Sequence, residues 1–164
     1  MNISLRPITA ANWRATHKST RSLSPEQQTF VAPNTYSILE AMYEPDVLFP
    51  LAIYDGETMV GFAMYGFEGE PLRWWIVRFM IGAEYQGKGY GRAAMLALIE
   101  LLKQQPNCDA IYLSFVPANE TARRLYASLG FEDTGEVEDD EIIYRYIKAI
   151  DKGDRKSTRL NSSH

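Results

Sequence analysis

Cysteine and histidine are nearly absent from this chain of 164 residues, which has one cysteine, Cys108, and two histidines. A single cysteine excludes an internal disulfide and a cysteine-based zinc site, and two histidines offer no metal-binding constellation. The sequence also lacks an N-terminal apolar segment of the signal-peptide type and any apolar run of membrane-spanning length. We therefore predict a cytoplasmic protein without a metal or membrane partner, in which Cys108 is a buried or edge thiol.

The C-terminal end of the chain is polar and follows the last predicted strand. We predict that residues 151–164 are a disordered tail, and residues 154–164 resemble the translation of a common sequencing-adapter oligonucleotide. Without those eleven residues the chain carries 14 basic and 20 acidic side chains, a net charge of −6 against −4 for the whole sequence. Such a charge disfavours a nucleic-acid partner and favours a cationic one.

Hydrophobic periodicity predicts one α+β domain over residues 1–150, with a mixed, mostly antiparallel sheet. Asp55-Gly56 and Asp139-Asp140 indicate hairpin turns, and the nearly all-apolar segment 73–81 indicates a central strand. The predicted strands are 3–7, 51–54, 59–65, 73–81, 110–116, 132–138 and 141–148, with a loop at 66–71. The predicted helices run from a cap at Thr9 through His17, as one or two short helices within 25–44, at 92–105 and at 119–129.

A glycine-rich turn, Gln86-Gly87-Lys88-Gly89-Tyr90-Gly91, separates the strand 73–81 from the helix that follows it. Glycines at alternate positions allow φ values that other residues avoid. The free N–H groups at the start of the next helix form a natural seat for phosphate oxygens. The spacing is neither that of a Walker loop nor that of a dinucleotide fingerprint. Alone, the turn indicates either a phosphate-binding backbone or an ordinary strand-to-helix connection.

A second motif covers residues 119–131. Asn119 follows the predicted strand 110–116 and suits the N-cap of a helix, and Gly130 suits the left-handed position just after it. Asn119, Ala122 and Tyr126 lie on one helical face because two turns separate the first from the last. The small Ala122 leaves a slot between the two polar residues. Alone, this pattern also suits a capped helix whose tyrosine packs on the core.

In this order, Gln-x-x-Gly-x-Gly and Asn-x-x-Ala-x-x-Leu-Tyr-x-x-x-Gly-Phe resemble the motifs of the GNAT superfamily of acyl-CoA-dependent N-acetyltransferases. The resemblance covers nearly all of residues 3–150. Four segments are similar to the bacterial spermine/spermidine (diamine) acetyltransferases: Val60–Gly66, Arg78–Ile81, Tyr85–Gly89 and Ile111–Ser114. The resemblance implies a sheet of six to seven strands with flanking helices, in which the fourth and fifth strands splay apart to hold acetyl-CoA. Many relatives are dimers, so a homodimer is expected as one possibility.

The resemblance also implies roles for individual residues. The glycine turn with Lys88 and Arg92 would hold the pyrophosphate of acetyl-CoA, and the backbone of 79–81 would pair with its pantetheine arm and face the thioester oxygen. Tyr126 would be the catalytic acid beside the sulfur, since a phenol can protonate a departing thiolate. The residues expected to bind acetyl-CoA are Phe79, Met80, Ile81, Gln86, Gly87, Lys88, Gly89, Gly91, Arg92 and Asn119.

The acceptor side departs from the family pattern at Val77, where polyamine acetyltransferases often have a carboxylate on the fourth strand. Valine cannot act as a general base. Five acids lie in segments that border the acceptor site in this family and are either guides or water relays for a cation, or ordinary surface residues: Glu40, Glu44, Asp46, Glu68 and Glu70. The acidic run 136–141 is either a charged hairpin tip or an attractant for polyamines. Trp74, Trp75 and Tyr65 are candidates for the pocket wall, with at least one tryptophan expected in the core.

The expected reaction is transfer of an acetyl group from acetyl-CoA to a primary amine, with polyamines as the first candidates. Two alternatives remain at this stage. One is acetylation of a protein N-terminus or lysine, and the other is binding of acetyl-CoA by a sensor without turnover. Tyr126 favours an enzyme, because a sensor does not need an acid beside the sulfur.

Overall fold

A computed structural model of the chain describes residues 1–148 as seven strands and five helices. The strands are β1 (Ile3–Pro7), β2 (Leu48–Asp55), β3 (Thr58–Glu68), β4 (Arg73–Ile81), β5 (Ala110–Phe115), β6 (Glu132–Glu138) and β7 (Glu141–Ile147). The helices are α1 (Trp13–Ser22), α2 (Pro25–Gln28), α3 (Asn34–Tyr43), α4 (Tyr90–Lys103) and α5 (Glu120–Ser128), with a 3₁₀ turn at Ala83–Tyr85. The predicted tail, 151–164, lies outside the described residues. None of the helices within residues 1–148 is long and apolar enough to cross a membrane.

All seven strands form one sheet in the order β1-β2-β3-β4-β5-β7-β6. Every neighbouring pair is antiparallel except β4 and β5, which are parallel. The predicted mixed, mostly antiparallel sheet is therefore confirmed, with seven strands. The sequence predicts one or two short helices within 25–44, and the structure has two there, α2 and α3. The loop predicted at 66–71 is shorter than expected, because β3 continues to Glu68.

The first helix begins later than the sequence predicts. Thr9 accepts a hydrogen bond from the Ala11 N–H through Oγ1 (3.2 Å), and Asn12 Oδ1 accepts one from the Thr9 N–H (2.8 Å). These two bonds close a turn ahead of Trp13, where the helix starts. The predicted cap at Thr9 is wrong because its hydroxyl stabilises this turn and not the helix.

The helices cover both faces of the sheet. On one face, α4 buries Ala94, Met95, Leu98, Ile99 and Leu102 against residues of β2 to β5, and α5 adds Tyr126. On the other face, the segment with α1, α2 and α3 packs Leu23 and Ala41 against Phe62, Met64 and Met80. Alternate residues of β3 and β4 point into these two clusters, so the central strands are buried on both sides.

The centre of the sheet is interrupted at β4. Met64 pairs with Arg78 and Tyr65 pairs with Ile76, which leaves Val77 as the extra residue of a β-bulge. On its other side β4 pairs with β5 only from Trp74 to Ile76. Beyond Ile76 and Leu113 the two strands separate, which confirms the predicted splay between the fourth and fifth strands. We call this opening the gap: residues 77–81 of β4 facing β5 from Ser114 onward.

One glycine keeps β3 close to the residues of β4 at the gap. Gly61 pairs with Ile81, and a Cβ built on Gly61 would collide with the carbonyl oxygen of Met80. We expect Gly61→Ala to lower the free energy of unfolding by about 1–3 kcal/mol, because the backbone of β4 must shift to relieve the collision. Urea denaturation measures the difference.

Gly82→Ala is the matched control. Gly82 has φ −59°, and its Cβ would meet no atom closer than 3.5 Å. We expect a change within about 0.5 kcal/mol for this variant. An equal loss of stability in both variants would show that the close approach of β3 and β4 at Gly61 is not required.

Candidate functional site

A groove of about 460 Å³ opens where β4 and β5 separate. We call it the splay groove. One wall is the end of β4, the loop after it and one side of α5 as far as Tyr126, and the other wall is the segment from Leu23 to Val31 with α2. Eight of the eleven residues predicted for the site line it: Phe79, Met80, Ile81, Gln86, Gly87, Gly91, Asn119 and Tyr126. The other three, Lys88, Gly89 and Arg92, lie beside it in the same loop and in the first turn of α4.

The glycine loop has the backbone geometry that its sequence predicts. Gly87 and Gly89 adopt φ values of +74° and +88°, in the left-handed region that disfavours other residues. Gly89 is the N-cap of α4, and its carbonyl accepts the first helical bond, from the Ala93 N–H at 3.2 Å. The amides of residues 90–92 consequently have no partner within the helix. Together with the helix dipole they form a site suited to a phosphate group.

A carboxylate–phenol contact fixes the start of α4. Tyr90 donates a hydrogen bond from its hydroxyl to Asp55 Oδ2 (2.6 Å), and the Asn2 N–H donates to Asp55 Oδ1 (2.8 Å). The hydrogen bonds from Tyr90 and Asn2 lower the pKa of Asp55. The first residue of α4 is thereby held against the β2–β3 hairpin, which orients the unpaired amides of the glycine loop. No local sequence pattern predicts this pairing, because 35 residues separate the two side chains.

Gln86 makes contacts that the sequence did not predict. Its Nε2 donates to the Ile81 carbonyl (2.9 Å), and its Oε1 accepts from Gln27 Nε2 (2.9 Å). The side chain thus connects the end of β4 to α2 on the opposite wall of the splay groove. Ser24 and Gln27 form a capping box that starts α2. The Ser-x-x-Gln pattern after Leu23 is the signal by which the sequence could have located this helix.

The α5 motif lies along the splay groove as predicted. Asn119 caps the helix, since its Oδ1 accepts a hydrogen bond from the Ala122 N–H at 3.2 Å. Asn119, Ala122 and Tyr126 all line the groove. Tyr126 is 8% exposed, with its ring against Phe115 and Phe131 at centroid distances of 5.5 and 5.9 Å. Burial raises the pKa of Tyr126, so its hydroxyl keeps its proton well above neutral pH.

A second cavity, of about 290 Å³, opens at the other end of the gap. We call it the acidic cleft. Its walls are α3, the end of β3, residues Trp75–Val77 of β4, Ser114 of β5 and the β6–β7 hairpin. Six carboxylates line it: Glu40, Glu44, Glu68, Glu138, Asp139 and Glu141. No lysine or arginine stands among the described lining residues, although Arg78 pairs with Glu40 (3.1 Å). This concentration of negative charge suits a ligand with several positive charges.

The acids predicted to border an acceptor site divide into two groups. Glu40, Glu44 and Glu68 line the acidic cleft, whereas Asp46 and Glu70 do not. Of the aromatic candidates, Trp75 lines the cleft, and Trp74 is buried in the core with its Nε1 donating to the Pro106 carbonyl (2.9 Å). Tyr65 does not line the cleft and packs among core aromatics. The expectation that at least one tryptophan lies in the core is confirmed.

The chain matches known acetyltransferases in sequence. The model of the acetyltransferase (GNAT) family matches residues 12–131, a range that contains both motifs described above. The spermine/spermidine N(1)-acetyltransferase of Bacillus subtilis (strain 168) is 35% identical over 147 residues, which cover 84% of this chain and 93% of that protein.

Solved structures share the fold. The aminoglycoside acetyltransferase AAC(6')-Ib, in complex with coenzyme A and kanamycin, has a TM-score of 0.77 at 21% identity, over 94% of this chain and 99% of that one. A chimera of the spermidine N-acetyltransferase SpeG from Vibrio cholerae and hSSAT has a TM-score of 0.70 at 16% identity, over 92% and 98%. At these identities the likeness concerns the arrangement of strands and helices alone.

The glycine loop provides a direct test of the phosphate site. We expect Gly89→Ala to weaken the binding of acetyl-CoA by about tenfold, or ~1.4 kcal/mol, because alanine disfavours φ +88° and displaces the amides of α4. Isothermal titration calorimetry measures the dissociation constant.

Gly135→Ala is the matched control for this substitution. Gly135 in β6 has φ +83° and, like Gly89, has room for a methyl group. Both variants should lose about 1–2 kcal/mol of stability from left-handed backbone strain. Only Gly89→Ala should lose affinity for acetyl-CoA. Unchanged affinity in Gly89→Ala would contradict the assignment of the glycine loop to phosphate binding.

Proposed function

Because the chain belongs to the GNAT family of acetyltransferases, we propose that it transfers the acetyl group of acetyl-CoA to a primary amine of a polyamine. One observation carries this proposal: the splay groove and the acidic cleft open at the same gap between β4 and β5. A thioester in the groove and a polycation in the cleft would meet at residues 77–79. The spermine/spermidine acetyltransferase of Bacillus subtilis, at 35% identity, supports the same class of acceptor.

The residues of the splay groove fit acetyl-CoA, which supplies the acetyl group as a thioester. The unpaired amides of residues 90–92 would hold the pyrophosphate, with Lys88 nearby. The backbone of 79–81 has no strand partner on its β5 side, so it would accept the pantetheine amides as an added strand. Asn119 would contact the same arm from α5. These roles follow the family pattern at the matching positions of this chain.

Two groups of this chain would stabilise charge during transfer. A backbone N–H at Met80 or Ile81 would donate a hydrogen bond to the thioester oxygen, where negative charge develops. Tyr126 would donate its proton toward the sulfur as the carbon–sulfur bond breaks. Because burial raises the pKa of this phenol, the hydroxyl stays protonated at neutral pH and is a weaker acid than a free phenol, so it would give up its proton only as negative charge develops on the sulfur.

The acidic cleft would hold the acceptor through its cationic nitrogens. Carboxylates near an ammonium group stabilise its charged form, which raises the pKa of the amine. The nitrogen that attacks the thioester must instead be neutral. Ile76 and Val77 supply apolar surface where the cleft meets the gap, and desolvation there lowers the pKa of an amine. A polyamine satisfies both requirements, because one nitrogen can enter the gap while the others remain among the carboxylates.

Acceptor choice is tested by measuring thiol release from acetyl-CoA with spermine, spermidine, simple diamines, kanamycin, amino acids and basic peptides. We expect the polyamines to give the highest kcat/KM. Faster release with peptides would favour a protein acetyltransferase. Binding of acetyl-CoA without release would favour a sensor.

The acidic cleft is tested by the double substitution Glu44→Gln, Glu68→Gln. We expect it to raise the KM for polyamines by about tenfold and to leave the affinity for acetyl-CoA unchanged, since the two charges are lost only from the cleft.

The role of Tyr126 is tested by Tyr126→Phe. We expect kcat to fall on the order of 10²–10⁴-fold with little change in acetyl-CoA binding, because only the proton donor is removed. In the wild type, the raised pKa of Tyr126 means that its ionisation should cause no loss of activity up to about pH 10. Tyr144→Phe is the control, because Tyr144 is also buried and packs on Phe115. Equal turnover in wild type and Tyr126→Phe would remove the phenol from the mechanism.

A further inference from the structure

The proposed reaction lacks a proton acceptor for the amine. A polyamine nitrogen is protonated at neutral pH and must lose that proton before it attacks the thioester. Val77, the first residue of β4 at the gap, has no group that could accept it. The following inference rests on the proposed function and concerns the residue across the gap from Val77.

Ser114 occupies that position. The parallel pairs Trp75–Tyr112 and Ile76–Leu113 are the last between β4 and β5, so Val77 and Ser114 are the next residue on each strand. Trp75 and Tyr112 lie on one face of the sheet with ring centroids 5.4 Å apart. Side chains two residues further along a strand return to that face, which places Val77 and Ser114 on it together. Both line the acidic cleft, and Ser114 is exposed.

Ser114 is joined to a carboxylate. Its Oγ donates a hydrogen bond to Glu141 Oε1 at 3.1 Å. Glu141 is the first residue of β7, and the pairs Ser114–Ile143 and Phe115–Ile142 between β5 and β7 hold it beside the gap. Glu40, by contrast, is paired with Arg78. Within the described residues, Glu141 is the cleft carboxylate that a hydroxyl connects to the gap.

We propose that Ser114 and Glu141 form the proton relay that deprotonates the acceptor. The Ser114 oxygen takes a proton from the ammonium nitrogen while the hydroxyl proton passes to Glu141. The neutral amine then forms the carbon–nitrogen bond as the carbon–sulfur bond breaks. The nitrogen loses a second proton as the amide forms, and the departing sulfur takes up one proton to become the thiol. One proton in each turnover therefore leaves through Glu141 to the solvent at the exposed rim of the cleft.

The negative charge around Ser114 and Glu141 is the reason that the acceptor needs a proton relay. The groups that face Ser114 and Glu141 across the cleft are Glu40 and Glu44 of α3, Glu68 of β3, and Glu138 and Asp139 of the β6–β7 hairpin, with Arg78 as the nearby cation. Their net negative charge binds the polyamine and also keeps its nitrogens protonated. A hydroxyl at the gap removes the proton from the reacting nitrogen without adding a carboxylate beside the thioester.

The test is the pH profile of kcat/KM for the polyamine that the wild type acetylates fastest. Ser114→Ala and Glu141→Gln should each lower kcat/KM by about 10²-fold at pH 7. The deficit should shrink as the pH approaches about 10, because a growing fraction of the free amine is then neutral without help. The double variant should lose no more than either single variant, because both residues serve one proton transfer.

Glu138→Gln is the control, since Glu138 lines the same cleft and makes no hydrogen bond to Ser114. It should raise KM by a similar factor at every pH. Suppose that the wild type is active but Ser114→Ala keeps the same kcat/KM, or loses the same factor of kcat/KM at every pH. Either result would overturn the relay and leave the proposed function intact. Absence of activity in the wild type toward every amine, at every pH, would overturn both.

Discussion

The site depends on the fact that β4 and β5 stop pairing partway along their length. Only three residue pairs join these strands before they separate, although both lie in the middle of a seven-stranded sheet. Backbone groups in such a position normally bond to a neighbouring strand, since burial without a partner is costly. Here residues 77–81 keep one edge free, and both cavities of the protein's site open onto it. The bulge at Val77 begins this departure from regular pairing, and Gly61 keeps the other edge of the strand close to β3.

Electrostatics divides the gap into two environments. The glycine loop collects unpaired amides and a helix dipole, which favour anions, whereas the acidic cleft collects six carboxylates, which favour cations. A protein of net charge −4 has no general attraction for an anionic donor, so in the proposed function the local field of α4 would bind it. Separation of the two environments also keeps the carboxylates away from the pyrophosphate. The two substrates would react between these environments, at residues 77–79 of β4.

The sequence predicted the backbone of this site better than its side-chain contacts. The strand at 73–81, the glycine turn, the Asn119 cap and the line from Asn119 to Tyr126 are local patterns with a fixed period, and the structure contains each of them. The cap at Thr9 was wrong because hydroxyls stabilise turns as readily as helices. The contacts Gln27–Gln86, Tyr90–Asp55 and Ser114–Glu141 join residues that the fold brings together, and no local pattern marks them.

The departure at Val77 has a physical explanation once the cleft is known. A carboxylate at Val77 would stand where the acidic cleft meets the gap, within a field already set by six acids. It would stabilise the ammonium ion there and oppose the negative charge that develops on the thioester oxygen. A valine removes both penalties and leaves deprotonation to another group of the cleft. The missing carboxylate is therefore consistent with catalysis, provided that a polar residue on β5 connects the gap to the acids of the cleft.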